Sequence, residues 1–144
     1  MKHLFFTLLL TASTLVSAQS VPEDFKAAIK TDDAIAFLKL VTADNLNTCY
    51  ETQSSDYTLL ALTIKYNAKA CFKTLLAQKA DLEKACASKT PLMYAVKYSQ
   101  LDIVKALIKA GADFKAENSS GRTAIDYAKK YEQKEIYAHL KALE

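Results

Sequence analysis

A stretch of 27 residues, Thr90 to Ala116, sets a pattern that the rest of the chain repeats. Thr90 can accept hydrogen bonds from the N–H groups that open a helix. Pro91 follows at the first helical position, where its missing N–H costs nothing. Leu92, Ala95 and Val96 recur at helical spacing and make one apolar stripe. Ser99-Gln100 breaks that stripe, and Leu101, Val104, Leu107 and Ile108 start a second one. Gly111 stands where a left-handed C-terminal cap is expected, and Ala112 to Ala116 should run out as a hairpin arm. Two copies flank this unit. Thr58-Leu59-Leu60 through Lys79-Ala80-Asp81 lies 32 residues upstream, with Leu59 and Lys79 in the places of Pro91 and Gly111. Gly121 to Ile125 lies 33 residues downstream of Ser88 to Leu92. Units of this size at a fixed period stack, because one alone cannot bury its apolar faces.

The remaining segments fit around these copies. Phe25, Ala28 and Ile29, then Ile35, Phe37, Leu38 and Val41, form two amphipathic pieces parted by Thr31-Asp32-Asp33. They read as a divergent first unit, with Asp32 and Asp33 ending one helix and starting the next. Thr48 to Tyr57 reads as a long polar hairpin tip. The last copy reaches Glu144 after one helix pair, and its second helix carries Lys134, Glu135, His139 and Lys141, as a solvent-facing end unit requires. The expected architecture is an all-α solenoid of about four helix-turn-helix units, near 22–47, 48–84, 85–117 and 118–144, joined by short hairpin loops.

Met1 to Ala18 reads differently, as an export signal. Lys2-His3 is a basic start, Leu4 to Leu10 is apolar, and Val16-Ser17-Ala18 presents small residues to a signal peptidase. The apolar run is shorter than the about 20 residues of a membrane span, and no cysteine follows it to carry a lipid. Cleavage is expected after Ala18, leaving the repeat domain 19–144 with Ser20 to Glu23 as a linker. The compartment expected is the periplasm or the cell exterior, with no stable membrane insertion.

The central unit resembles the ankyrin repeat, whose general form is Thr-Pro-Leu-His, paired alanines and a Gly-Ala-Asp end. The match runs through Thr90, Pro91, Leu92, Ala95, Leu101, Ile103, Val104, Leu107, Gly111, Ala112 and Asp113. The chain departs at Met93, where the family has His, which points to a looser hairpin, and at Ser99, where it has Gly. Asp44 to Asn47 follows the family's exit only loosely, and the tip after it is about two residues longer than the family spacing.

On that layout Cys49 and Cys86 fall on hairpin tips of adjacent units, and an exported protein can keep them oxidised. They are the expected disulfide pair. Equivalent atoms of stacked units sit farther apart than the about 7 Å between Cα atoms that a bridge allows, so the pairing depends on the extra residues around Cys49. Cys71 falls in a second helix at the place of Ile103 and reads as a small buried hydrophobe, with a functional thiol as the alternative.

Catalysis has little to stand on. His3 lies in the signal and His139 is alone, so neither a nucleophile system nor a histidine metal site is spaced to form. No CxxC pair and no glycine-rich phosphate loop occurs; the two glycines, Gly111 and Gly121, both stand at turns. No metal, cofactor or catalytic residue is expected. The formal charge of +3 includes Lys2, and Arg122 is the lone arginine, which argues against nucleic acid.

One surface feature recurs. Lys65-Tyr66, Lys97-Tyr98 and Lys130-Tyr131 stand seven and eight residues after Thr58, Thr90 and Thr123. The resemblance places them at the ends of first helices on the concave binding face, with the hairpin tips 51–56, 84–89 and 118–122 beside them. Aligned lysines favour an acidic partner and tyrosines supply rigid contact area, although a tyrosine there can equally seal the groove between repeats. The resemblance implies a monomeric, non-catalytic protein that binds another protein. An immunity or inhibitor protein against a toxin or envelope enzyme, and an accessory factor for an oxidative-stress enzyme, are the alternatives.

Overall fold

Local hydrogen bonding builds four helix pairs in the computed structural model, which describes residues 19–144. The export signal and its cut after Ala18 lie outside the described residues. The helices are α1 (Glu23–Thr31), α2 (Ala34–Leu40), α3 (Leu59–Lys65), α4 (Lys69–Ala77), α5 (Pro91–Lys97), α6 (Leu101–Lys109), α7 (Ala124–Lys130) and α8 (Lys134–Lys141). Thr58 and Thr90 accept from the N–H of Ala61 (3.1 Å) and Met93 (3.4 Å). At Thr123 both the N–H and the hydroxyl donate to Asp126 Oδ2, at 2.9 and 3.0 Å.

The turn inside each pair is the same device used four times. Asp32, Asn67, Ser99 and Glu132 have φ between 51° and 58°. The next residue's N–H then reaches back across the helix end: Asp33 to Ala28 O, Ala68 to Thr63 O, Gln100 to Ala95 O and Gln133 to Ala128 O, at 2.8–3.0 Å. This is the hydrogen bond of a Schellman ending. Asp33 also caps α2, its Oδ1 accepting from the N–H of Ile35 and Ala36, so the two aspartates end one helix and start the next. After the second helices, Lys79 (φ 57°) and Gly111 (φ 105°) turn the chain out, with Ala80 N–H on Leu75 O and Ala112 N–H on Leu107 O. The positive φ at Gly111 is the turn expected there.

First helices stack as a row, α3 on α5 and α5 on α7, while second helices pack α2 on α4 and α6 on α8. This is the all-α solenoid, with short strands confined, among the described residues, to one hairpin and the segment paired to it. The inner helices are buried nearly all round rather than along a stripe. In α5, Pro91, Met93 and Tyr94 are buried as well as Leu92, Ala95 and Val96, because a middle unit has a neighbour on each side. Met93, in the place of the family histidine, is fully buried.

Three features depart from the sequence reading. Ser20 to Glu23 is not a linker: β1 (Gln19–Ser20) pairs in parallel with β2 (Tyr50–Glu51), Val21 is buried, and Glu23 opens α1. Thr48 to Tyr57 is the hairpin expected, but its arms pair as strands, β2 antiparallel with β3 (Asp56–Tyr57), in a chain read as all-α. Ala112 to Ala116 forms no strand; Asp113 instead turns the chain, its Oδ1 accepting from Lys115 N–H and its carbonyl from Ala116 N–H. The difference follows side-chain character. Tyr50 and Tyr57 bury against the core and favour extended backbone, whereas the later loops are rich in Ala, Lys and Ser. Those loops are stitched by side chains: Asn47 Oδ1 accepts from Asp81 N–H, Glu83 Oε1 from Asp113 N–H, and Asn118 Nδ2 donates to Ser88 O. Cys49 and Cys86 face each other across the first two tips, their Cα atoms 5.5 Å apart and their sulfurs at bonding distance, 2.11 Å.

Candidate partner-binding face

Lys65, Lys97 and Lys130 are the last residues of α3, α5 and α7, and Tyr66, Tyr98 and Tyr131 are the C-cap residues that follow. A cation at a helix C-terminus meets the negative end of the backbone dipole, so the local fold itself favours lysine there. The stacking of first helices brings the three pairs into one row.

The tyrosines of that row are not equivalent. Tyr66 is half exposed, at 51%. Tyr98 lies parallel to Tyr94 with centroids 6.3 Å apart, and Tyr131 to Tyr127 at 6.1 Å. Tyr94 in turn meets Tyr57 from the first hairpin, at 5.0 Å. Tyr57, Tyr94 and Tyr127 are buried, so the aromatic layer seals the grooves between units and its outer edge alone faces out. Burial pushes the Tyr94 phenol up to about 12. Burial and then hydrogen bonding to Tyr57 raise Tyr98 as well. Tyr57 itself is lowered: burial opposes ionisation, but hydrogen bonds from Ser54 and Tyr98 and the charge of Lys65 outweigh it.

Ammonium groups sit on this layer. Lys65 Nζ lies 4.5 Å from the Tyr57 ring centre and donates to Ser54 Oγ at 3.1 Å. Lys97 lies over Tyr98 at 5.4 Å and Lys130 over Tyr131 at 5.7 Å. Lys89 bridges two rings, Tyr94 at 5.8 Å and Tyr127 at 5.6 Å. Its pKa is depressed, first by burial and then by repulsion from Lys97, Lys130 and Arg122, with only the Tyr57 phenol acting the other way. The ion pairs among the described residues are Lys26–Glu23, Lys69–Asp102 and Lys141–Glu144, and none touches the row. The face therefore carries positive charge that no carboxylate of the described residues pairs.

Tyr57, Tyr94 and Tyr127 are additions to the residues expected from sequence, while Lys89 is the last residue of the expected tip 84–89. Register could have found two groups of them. Tyr57, Lys89 and Arg122 each precede a capping threonine, and Tyr94 and Tyr127 each follow one by four residues. Among the described residues, no three of His, Cys, Asp or Glu come together as metal ligands would. No described helix is long and apolar enough to cross a membrane.

The chain matches the family description "Ankyrin repeats (3 copies)" over residues 25–118 and again over 60–143. It is similar to "Ankyrin repeat and SOCS box protein 11" of Homo sapiens and to the protein of that name from Pongo abelii. Each is 29% identical over 91 residues, 63% of this chain. The chain spans only 28% of the length of these relatives.

Proposed function

We propose that this chain, which belongs to the ankyrin-repeat family, is a non-catalytic binding protein whose concave face captures an acidic partner protein after export. Ankyrin repeats serve in general as scaffolds for protein–protein interaction, and the stacked first helices with the tips beside them offer one continuous face for that use. The observation that carries the reading is the row of Lys65, Lys89, Lys97 and Lys130 over tyrosine rings, without a carboxylate partner. Unneutralised charge on an ordered aromatic base attracts an oppositely charged surface and fixes its register. The tyrosine edges then add amphipathic contact area at little entropic cost.

Export is supported by the signal-like residues 1–18 and by Cys49 and Cys86 at bonding distance, since disulfides persist in oxidising compartments. The compartment proposed is a bacterial periplasm or the cell exterior, and the protein acts there as a monomer.

The test is capture from an envelope fraction by the domain 19–144, with and without Lys97→Glu and Lys130→Glu together. Both side chains are at helix ends and outside the core, so the fold should hold, the melting temperature dropping only by what a reversed charge at each helix C-terminus costs, about 0.3–1 kcal/mol. Capture should fall by about tenfold or more, and should weaken with added salt because exposed charges are screened over about 10 Å at ordinary ionic strength. Capture that is indifferent to both the substitutions and the salt would remove the row from the binding face.

A further inference from the structure

At the N-terminal end of the row, between β1, α1, the β2–β3 tip and α3, lies a cleft of about 540 Å³. Its base is apolar: Val21, Ile29 and Leu62 line it, and each is otherwise buried in the core. Lys30 and Lys65 stand on its walls opposite a single carboxylate, Glu51, while the third lysine, Lys26, is paired with Glu23 at 2.7 Å. Lys65 and Tyr66 belong both to this cleft and to the row, so the charged face runs into it without a break. Lys65 is held in place, by Ser54 at 3.1 Å and by the ring of Tyr57. A hydrogen-bonded ammonium beside a hydrophobic base suits one kind of occupant: a carboxylate next to an apolar group.

We propose that this cleft anchors the partner, and that it takes a peptide segment in which an acidic side chain adjoins a bulky aliphatic one. The carboxylate lies between Lys30 and Lys65, and the aliphatic group rests on Val21, Ile29 and Leu62. The inference rests on the reading of the concave face as the binding surface and names the chemistry of its end. It also gives β1 a role. A strand of two residues adds little stability, yet its Ser20 lines the cleft and leads directly to Val21 at the base, so pairing with β2 completes a site as well as a fold.

The probe is a blocked tetrapeptide, acetyl-Glu-Leu-Glu-Leu-amide, titrated into the isotope-labelled domain 19–144 and followed by amide correlation spectra. Its controls are the peptide with glutamine for glutamate and free octanoate. Shifts should gather at Ser20, Lys30, Thr52 to Ser54 and Leu62 to Tyr66. Affinity should drop by about tenfold in Lys30→Gln/Lys65→Gln, one decade being the scale of a single polar anchor. The glutamine peptide should bind far more weakly. Equal binding of the two peptides would overturn the proposal. So would shifts confined to the region of Lys97 and Lys130. Binding of octanoate without the acidic peptide would make the cleft a site for small amphipathic anions and would equally overturn it. Failure here is separable from failure of the concave-face reading: capture lost in Lys97→Glu/Lys130→Glu but kept in Lys30→Gln/Lys65→Gln would sink the anchor and leave the face.

Discussion

Asp32 shows how much one side chain can join in a stacked fold. Its backbone makes the left-handed turn between α1 and α2, at φ 51°. Its carboxylate reaches into the next unit and accepts from the N–H of Ala70 and Cys71, each at 2.9 Å. Those are free donors at the start of α4, whose own N-cap residue, Ala68, offers no side-chain oxygen. Burial raises the Asp32 pKa, but the hydrogen bonds from Ala70 and Cys71 outweigh it and leave the carboxyl below 3.8, the ordinary value. The sign follows by linkage. A carboxyl with a depressed folded pKa stabilises fully above its unfolded value and loses that contribution as pH falls through the folded one. Asp32→Asn keeps a residue that tolerates left-handed backbone and removes the charge. Because the amide oxygen still accepts, it should cost at pH 7 a part of the about 1 kcal/mol that losing a helix cap costs, and less at pH 3. Urea unfolding at the two pH values measures the difference, and an equal cost at both would contradict the capping role. The neighbouring thiol is the counterpart. Burial, then the hydrogen bond and charge of Asp32, push Cys71 up to about 12, and its sulfur lies on Ala28 O at 3.7 Å. A thiol so poor in thiolate should not react with Ellman's reagent in the folded protein at pH 8. It should react once urea unfolds the chain, and prompt native reactivity would point to a functional thiol instead.

Elements divide by the range of the signal that specifies them. The turn-and-cap logic of α5 and α6 lies within a few residues of sequence, in Thr90, Pro91, Ser99 and Gly111, and could be read directly. The same holds for Asp32-Asp33 as a helix boundary and for the recurrence that relates the units. What was hidden acts across units. Asp32 to Ala70 spans 38 residues, Gln100 Nε2 to Ile64 O spans 36, and Asn47 to Asp81 spans 34. None of these has a local pattern, because each depends on which unit stacks on which face. β1 was hidden for the same reason: two residues with no periodicity become a strand only because β2 is beside them. The row of Lys-Tyr pairs was visible by register, whereas the sealing of Tyr98 and Tyr131 against Tyr94 and Tyr127 needed three dimensions. The link between the first two tips has a measurable consequence. Joining Cys49 to Cys86 closes a loop of 37 residues, and in the chain-entropy account such a loop is worth about 3–4 kcal/mol through the unfolded state. Cys49→Ser/Cys86→Ser should lower the unfolding free energy by that order, and reductant should do the same to the parent but nothing further to the variant. A reductant-insensitive midpoint in the parent would show that the two cysteines stay free.

A stack in which each unit touches only its neighbours has a stability that varies along its length. The middle first helices, α3 and α5, have buried side chains on nearly every side, from Leu59 to Ile64 and from Pro91 to Val96. At the C-terminal end, α8 buries only Ile136 and Leu140 and carries Lys134, Glu135 and Lys141 outward. Its hydrogen-bonded stitches to the preceding unit are two exposed or half-buried side-chain contacts, Gln133 Nε2 with Ser99 Oγ and Asn118 Nδ2 with Ser88 O. The N-terminal end is better tied, through Asp32 on α4, β1 on β2, and Cys49 beside Cys86. Opening of a local unit exposes only what that unit buries, so amide exchange should follow this order. Amides of α8 should exchange fastest among the helices, and those of α3 and α5 slowest. Reduction of the cysteines should speed exchange most in β2, which the link holds to the tip after α4, and least in α8, because the α5–α6 pair lies between that tip and the last helix pair. Exchange at one common rate through all eight helices, moving together on reduction, would instead mean a single cooperative block and would remove the graded picture of the stack.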